Sequence, residues 1–255
     1  SVIVFASLLY LLAIFKGAGH LFQIFLGVPY EVAIGLTLVV VVLYTSIGGF
    51  VSVIRTDAIQ GVLMLFGAVT IFYFVTNAAG GISAVGQLME RPSKQHLFDL
   101  NGAVPFAVLL GVSLSGALKL IVDPRQLSRF YGLKSDAEVR RGKWIAVVGL
   151  TIILGCMFPI GLYAHLLLDN VSDTDLIVPT LVNDVGIFPF WVTDLLIVSI
   201  VSAAMSSMDS VLLVASSTLY KNIIAPFRVV KNEVTSSRLA VVGFACAAAL
   251  MALNP

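Results

Sequence analysis

Six positions in one apolar stretch carry small or hydroxylated side chains at helical spacing. Ser199, Ser202, Ala203, Ser206, Ser207 and Ser210 follow the i, i+3, i+4, i+7 pattern, so on a helix they form one stripe while Met205, Val211, Leu212 and Leu213 mostly point elsewhere. Two kinds of chemistry suit such a stripe. Small residues let membrane helices approach and serines hydrogen-bond across them, which makes a packing seam. Alternatively, a hard monovalent cation such as Na⁺ prefers oxygen ligands. The Ser206 and Ser207 hydroxyls, one turn from the Ala203 carbonyl, would offer three oxygens from one side, and a second helix would have to complete the cage.

Charged residues inside apolar stretches are the next candidates, because such residues mark functional sites by default. Lys16 has His20 one turn later on the same face. It reads either as half of a buried pair with a carboxylate such as Asp194, as a deprotonated amine, or as a solute ligand. Lys119 reads as a lysine snorkelling toward headgroups or as a solute ligand. Asp57 opens the spacing Asp57-Ala58-Ile59-Gln60, which suits a helix cap with its third-position glutamine, or else a carboxylate at the mouth of an ion pathway. A serine nucleophile at Ser206 or Ser207 with His20 or His165 as base is a further combination. No glycine-rich turn accompanies those serines, so no enzyme is expected.

The elements that must carry these residues are set by composition. The 255 residues are 59% hydrophobic and 11% charged, with a mean hydropathy of +1.03, far from the roughly 25% charged of a soluble domain. The chain is expected to be a multi-pass protein of the cell membrane with the bilayer as its partner. Its formal net charge of +1 gives no reason to expect nucleic acid. Cys156 and Cys246 lie in apolar runs and read as small hydrophobes, neither a disulfide nor a metal pair. The start, SVIVFASLL, lacks the basic region and cleavage site of a signal peptide, and both ends look cut.

Seven apolar runs approach the roughly 20 residues that a spanning helix needs. They lie near 2–26, 32–47, 58–79, 103–122, 144–168, 187–219 and 239–253, within one transmembrane domain over 1–255. Continuous rather than alternating hydrophobicity predicts helices. Basic residues gather after runs two, four and six (Arg55; Arg125 to Lys143; Lys221 to Arg238), against only Arg91 and Lys94 in the other connections. The positive-inside rule makes the even-numbered connections cytoplasmic. Gly48-Gly49 reads as a helix stop, Asp123-Pro124 ends run four, and Pro159 should kink run five. The external connection Asp169 to Asp184 is acidic, and its Asn170-Val171-Ser172 sequon carries little weight.

Three segments together resemble the sodium:solute symporters. YTSIGGFVSVIRTDAIQGVLMLF, Tyr44 to Phe66, is similar to that family's Y-T-x-x-G-G … T-D-x-x-Q signature. SAAMSSMDSVLLVASS, Ser202 to Ser217, resembles its A-A-x-M-S-[ST]-x-x-S helix, and Gln126 to Phe130 with Lys134-Ser135 resembles the loop after its sixth core helix. Order and spacing agree over nearly the whole chain. The resemblance implies an all-α integral membrane fold, the leucine-transporter-type inverted-repeat helical bundle, here truncated to about core helices three to nine. Core helices one, two and ten of the same protein would be missing.

It also implies Na⁺ as coupling ion, held by the Ala203 carbonyl and the Ser206 and Ser207 hydroxyls against core helix one. Asp57 matches the family's acidic residue linked to sodium handling. The implied activity is sodium-coupled symport of a small organic solute by alternating access. A transporter-like sensor domain of a signalling protein is the alternative. Run four departs from the pattern: it lacks the aromatic and amide residues of several members and carries Gly116, Lys119 and Asp123-Pro124 instead. Sugar is therefore not the expected solute. Lys119 or Lys16 would instead recognise an anionic group such as a carboxylate.

Overall fold

The computed structural model describes residues 2–99, 104–130, 132–168, 177–183, 186–227 and 232–253. The sequon, the loop acids Asp169, Asp173, Asp175 and Asp184, and the basic residues Arg228 and Lys231 lie outside them. Described secondary structure is helical: α1 (Val2–Leu26), α2 (Tyr30–Ala78), α3 (Ala84–Glu90), α4 (Phe106–Val122), α5 (Pro124–Phe130), α6 (Asp136–Leu167), α7 (Ile177–Asn183), α8 (Phe190–Leu219) and α9 (Glu233–Ala252). Among the described residues, six helical segments are long and apolar enough to cross a membrane.

The six segments correspond to the seven runs because α2 is two arms. At 49 residues a straight α2 would be roughly 70 Å long, more than twice a bilayer core. Its one non-helical residue is Gly49, at φ 63° and ψ −165°, a region open essentially to glycine alone. Contacts with α8 give the direction of each arm. In the second arm Leu63 meets Ser199 and Asp57 meets Ser206, an antiparallel ladder that a straight continuation would carry to the end of α8 by Tyr44. Tyr44 and Thr45 instead meet Asp209. The chain therefore folds back at the predicted glycine stop, and both arms lie along α8. Arg238 donates to the Ile47 carbonyl at 3.4 Å, satisfying a backbone acceptor where the first arm ends.

Two compact units divide the chain, one of residues 1–67 with 193–255 and one of 68–192. The first has a contiguous core to which α1 contributes Leu11 and Phe15, the first arm of α2 contributes Ile34 and Val41, and α8 contributes Met208 and Leu212. Ala245, Ala248, Ala249 and Ala252 complete it from α9 at helical spacing, their small size letting α9 approach α1. Gly19 has the same purpose: a Cβ there would lie 2.7 Å from the Ile34 and Tyr30 side chains.

In the second unit Tyr163 of α6 is buried and packs against Phe72, ring centroids 6.4 Å apart, while Phe74 packs on Phe188 at 5.8 Å. The expected break at Asp123-Pro124 is present. Asp123 turns extended after α4, its N–H donating to the Lys119 carbonyl, and its carboxylate pairs with Arg125 in the first turn of α5. Pro159 lies within α6, which continues as a helix on both sides of it.

Two helices begin earlier than their apolar runs. Ser135 accepts a hydrogen bond from the Glu138 N–H at 3.3 Å, and Asn232 accepts one from the Thr235 N–H at 3.3 Å. These caps start α6 and α9 in polar sequence. Hydropathy marks the part of a helix suited to lipid, whereas caps mark where its hydrogen bonds begin.

Candidate functional site

The serine stripe of α8 lies against the second arm of α2. At its outer end it is a seam. Ser199 donates to the Leu63 carbonyl at 3.0 Å and to its own helix at Leu195, 2.8 Å. Gly67 makes this possible, since a Cβ there would sit 2.6 Å from the Ser199 side chain. Ser202 is buried as well.

One turn and more inward the partner changes from backbone to carboxylate. The Ser206 hydroxyl donates to Asp57 Oδ1 at 2.6 Å, joining two residues that the sequence separates by 149 positions. A hydroxyl has one proton and two acceptor lone pairs. Giving the proton to Asp57 leaves the Ser206 oxygen presenting lone pairs. Ala203 and Ser207 are partly buried on the same helix, and the Ser206 carbonyl accepts from Ser210 at 2.9 Å. Ser206 takes Asp57 as its partner, neither of the histidines.

Asp57 is not the cap that its spacing suggests. The second arm is already helical at Ser52, where Thr56 bonds back to the Ser52 and Val53 carbonyls, so Asp57 lies well inside a helix whose N–H groups have partners. Gln60, the supposed capping glutamine, carries its buried Oε1 without a hydrogen-bond partner among the described residues. A carboxylate freed from capping and a carbonyl oxygen without a donor lie three residues apart, on one face of the arm.

Asp209 of α8 is fully buried and did not stand out in the sequence reading. Its Oδ1 accepts from Tyr44 and, at 3.5 Å, from Thr45, while its Oδ2 is buried without a partner among the described residues. The signal was available: an acidic residue in the middle of an apolar run, three residues after Ser206.

Lys16 is half-buried in α1 and Asp194 is exposed. Among the described residues no ion pair joins them; the single ion pair is Arg125 with Asp123. Lys119 is exposed on α4, where snorkelling would leave it. His20 stacks on Tyr30 with centroids 4.8 Å apart, and His165 lies 3.3 Å from Lys94 Nζ.

Comparison with known proteins follows the same lines. The model of the sodium:solute symporter family matches residues 1–254. A sodium/pantothenate symporter of Haemophilus influenzae is 29% identical over 211 residues, covering 82% of this chain and 43% of that protein. The osmoregulated proline transporter of Bacillus subtilis is 29% identical over 247 residues, 93% of this chain and 49% of its own length. The sodium/proline symporter of Escherichia coli is 26% identical over 254 residues, 92% and 49% respectively. A solved Na⁺-coupled sialic acid symporter in a substrate-bound outward-open state superposes with a TM-score of 0.78 at 22% identity, covering 98% of this chain and 56% of that one. The chain thus spans about half the length of the relatives it matches.

Proposed function

The chain belongs to the sodium:solute symporter family, a family of transporters and not of enzymes, and we propose that the protein of which it is part couples Na⁺ entry to import of a small organic solute by alternating access. Na⁺ is held by the Ala203 carbonyl and the Ser206 and Ser207 hydroxyls, with ligands from a further helix. The observation that carries this reading is the 2.6 Å hydrogen bond from Ser206 to Asp57. Asp57 orients the hydroxyl so that lone pairs face the ion, and its negative charge lowers the cost of bringing a cation to this depth. The donor set of hydroxyls, carbonyl and nearby carboxylate suits a hard, oxygen-seeking cation.

Coupling follows from population shift. Na⁺ binding favours an outward-open state, solute binding completes closure, and inward opening releases both. Each ligand must stabilise the same state, by a differential affinity typically of about 1 to 3 kcal/mol. The arm of α2 that begins at the Gly49 fold-back carries Asp57, so an ion bound beside Ser206 acts on the packing of this arm against α8.

Proline, pantothenate and sialic acid, the solutes named for the relatives, each carry a carboxylate. A solute bearing an anionic group such as a carboxylate, recognised by Lys16 or Lys119, is in keeping with them. Uptake driven by a sodium jump, in proteoliposomes holding the full-length protein, tests the function across a panel of charged and neutral solutes. Unchanged affinity and selectivity after Lys16→Gln and Lys119→Gln would eliminate the lysines as solute ligands. No sodium-driven uptake of any solute in the panel would eliminate symport and leave the sensor alternative.

A further inference from the structure

A second carboxylate on α8 is as deeply placed as the Ser206 turn but has different neighbours. Asp209 is 0% exposed, and one of its oxygens accepts only from the neutral hydroxyls of Tyr44 and Thr45. Tyr44 Oη also lies 3.5 Å from the Met205 carbonyl. The other carboxylate oxygen is buried with no hydrogen-bond partner among the described residues. No lysine, arginine or histidine pairs with it among the described residues. A carboxylate buried among neutral groups is costly unless a cation accompanies it.

One of the residues that hold Asp209 also lines a cavity. This cavity, of about 360 Å³, is lined by Thr45, Ser46, Gly48, Leu213, Glu233 and Arg238, among others. Thr45 forms part of its wall, and so does Leu213, one turn beyond Asp209 on α8. Its wall therefore includes a residue whose hydroxyl donates to the buried carboxylate. The α2 fold-back and residues Tyr220 and Lys221 also line it, and they belong to the two basic connections expected at the cytoplasm. Arg238 and Glu233 line it as well, and Arg238 is engaged with the Ile47 carbonyl.

We propose that this cavity is the cytoplasmic vestibule of a monovalent-cation path whose inner ligand is Asp209. Tyr44 and Thr45 hold one carboxylate oxygen in place, and the other receives the cation. The path runs along the first arm of α2, on the other side of the fold-back from Asp57, and does not require the Ser206 site. Glu233 supplies a carboxylate at the entrance, and selection for cations resides at the inner end, where Asp209 is the charged group. Ions released toward the cytoplasm, or entering from it, would pass Thr45.

Cysteine accessibility tests this in the full-length protein, with Cys156 and Cys246 replaced by serine. Ser46→Cys places a thiol on the cavity wall, and an impermeant thiosulfonate reagent is added to inside-out or right-side-out vesicles. Labelling is expected from the cytoplasmic side. Sodium at about ten times its half-protecting concentration should slow it about tenfold, and choline should not. Asp209→Asn should abolish this protection while the thiol remains reactive, and Ser206→Ala should retain it. Thr45→Val, which keeps the carboxylate but removes one of its hydroxyl partners, should weaken protection and serves if Asp209→Asn does not fold. Labelling only from outside, or none, would overturn the vestibule. Protection that survives Asp209→Asn would overturn the assignment to Asp209, and protection lost only with Ser206→Ala would assign it to the neighbouring site.

Discussion

The spans 106–130 and 190–224 have most apolar windows of equal hydropathy, yet within the described chain the second, which holds α8, buries a third of its window and the first, which holds α4, buries none. Both contain small residues. On α4, Gly111 and Gly116 would meet nothing within 4 Å if given a Cβ, whereas Gly67, opposite α8, would collide with Ser199. Hydropathy therefore selects what can span, and complementarity between facing positions selects what packs. A serine stripe becomes a seam only where another helix offers a glycine or a bare carbonyl, and a candidate site only where it offers a carboxylate.

This contrast can be broken in several places. The largest effect is expected at Gly49, where any Cβ opposes the glycine-only backbone that lets both arms lie on α8; Gly49→Ala should cost roughly 3 kcal/mol. Thermal unfolding in detergent measures it, and an unchanged midpoint would show that the fold-back needs no glycine. Gly67→Ala comes next, since overpacking against Ser199 should cost about 2 kcal/mol. The matched change Gly116→Ala on α4 should stay within about 0.5 kcal/mol; equal losses at the two sites would erase the distinction between the helices. Smallest is Arg238→Gln, which removes one long hydrogen bond to the end of the first arm and should cost about 0.5 kcal/mol.

Much of this architecture was legible before any coordinates. Gly48-Gly49 announced a stop, Asp123-Pro124 a break, and the period of the run-six serines the face turned to protein. The cap reading of Asp57 fails because D-x-x-Q spacing is a cap only where a helix starts. The start of that arm was set instead by Gly49, in a stretch whose polarity ended the apolar run but not the helix. Asp209 shares the periodicity of the stripe, but a pattern built from small and hydroxylated residues passes over a carboxylate. The pairing of Ser206 with Asp57 lay beyond the sequence for another reason: it depends on the register of two helices far apart in the chain, which local spacing does not encode.

The central claim is that the oxygens around Ser206 persist for an ion and not for packing alone. Equilibrium sodium binding to the purified full-length protein tests it most directly, read with the melting temperature of the same samples. Ser206→Ala and Ser207→Ala should each weaken sodium binding at least about tenfold, roughly 1.4 kcal/mol, with little change in melting temperature. Sodium affinity unaltered in both variants, accompanied by a lower melting temperature, would make the whole stripe a seam.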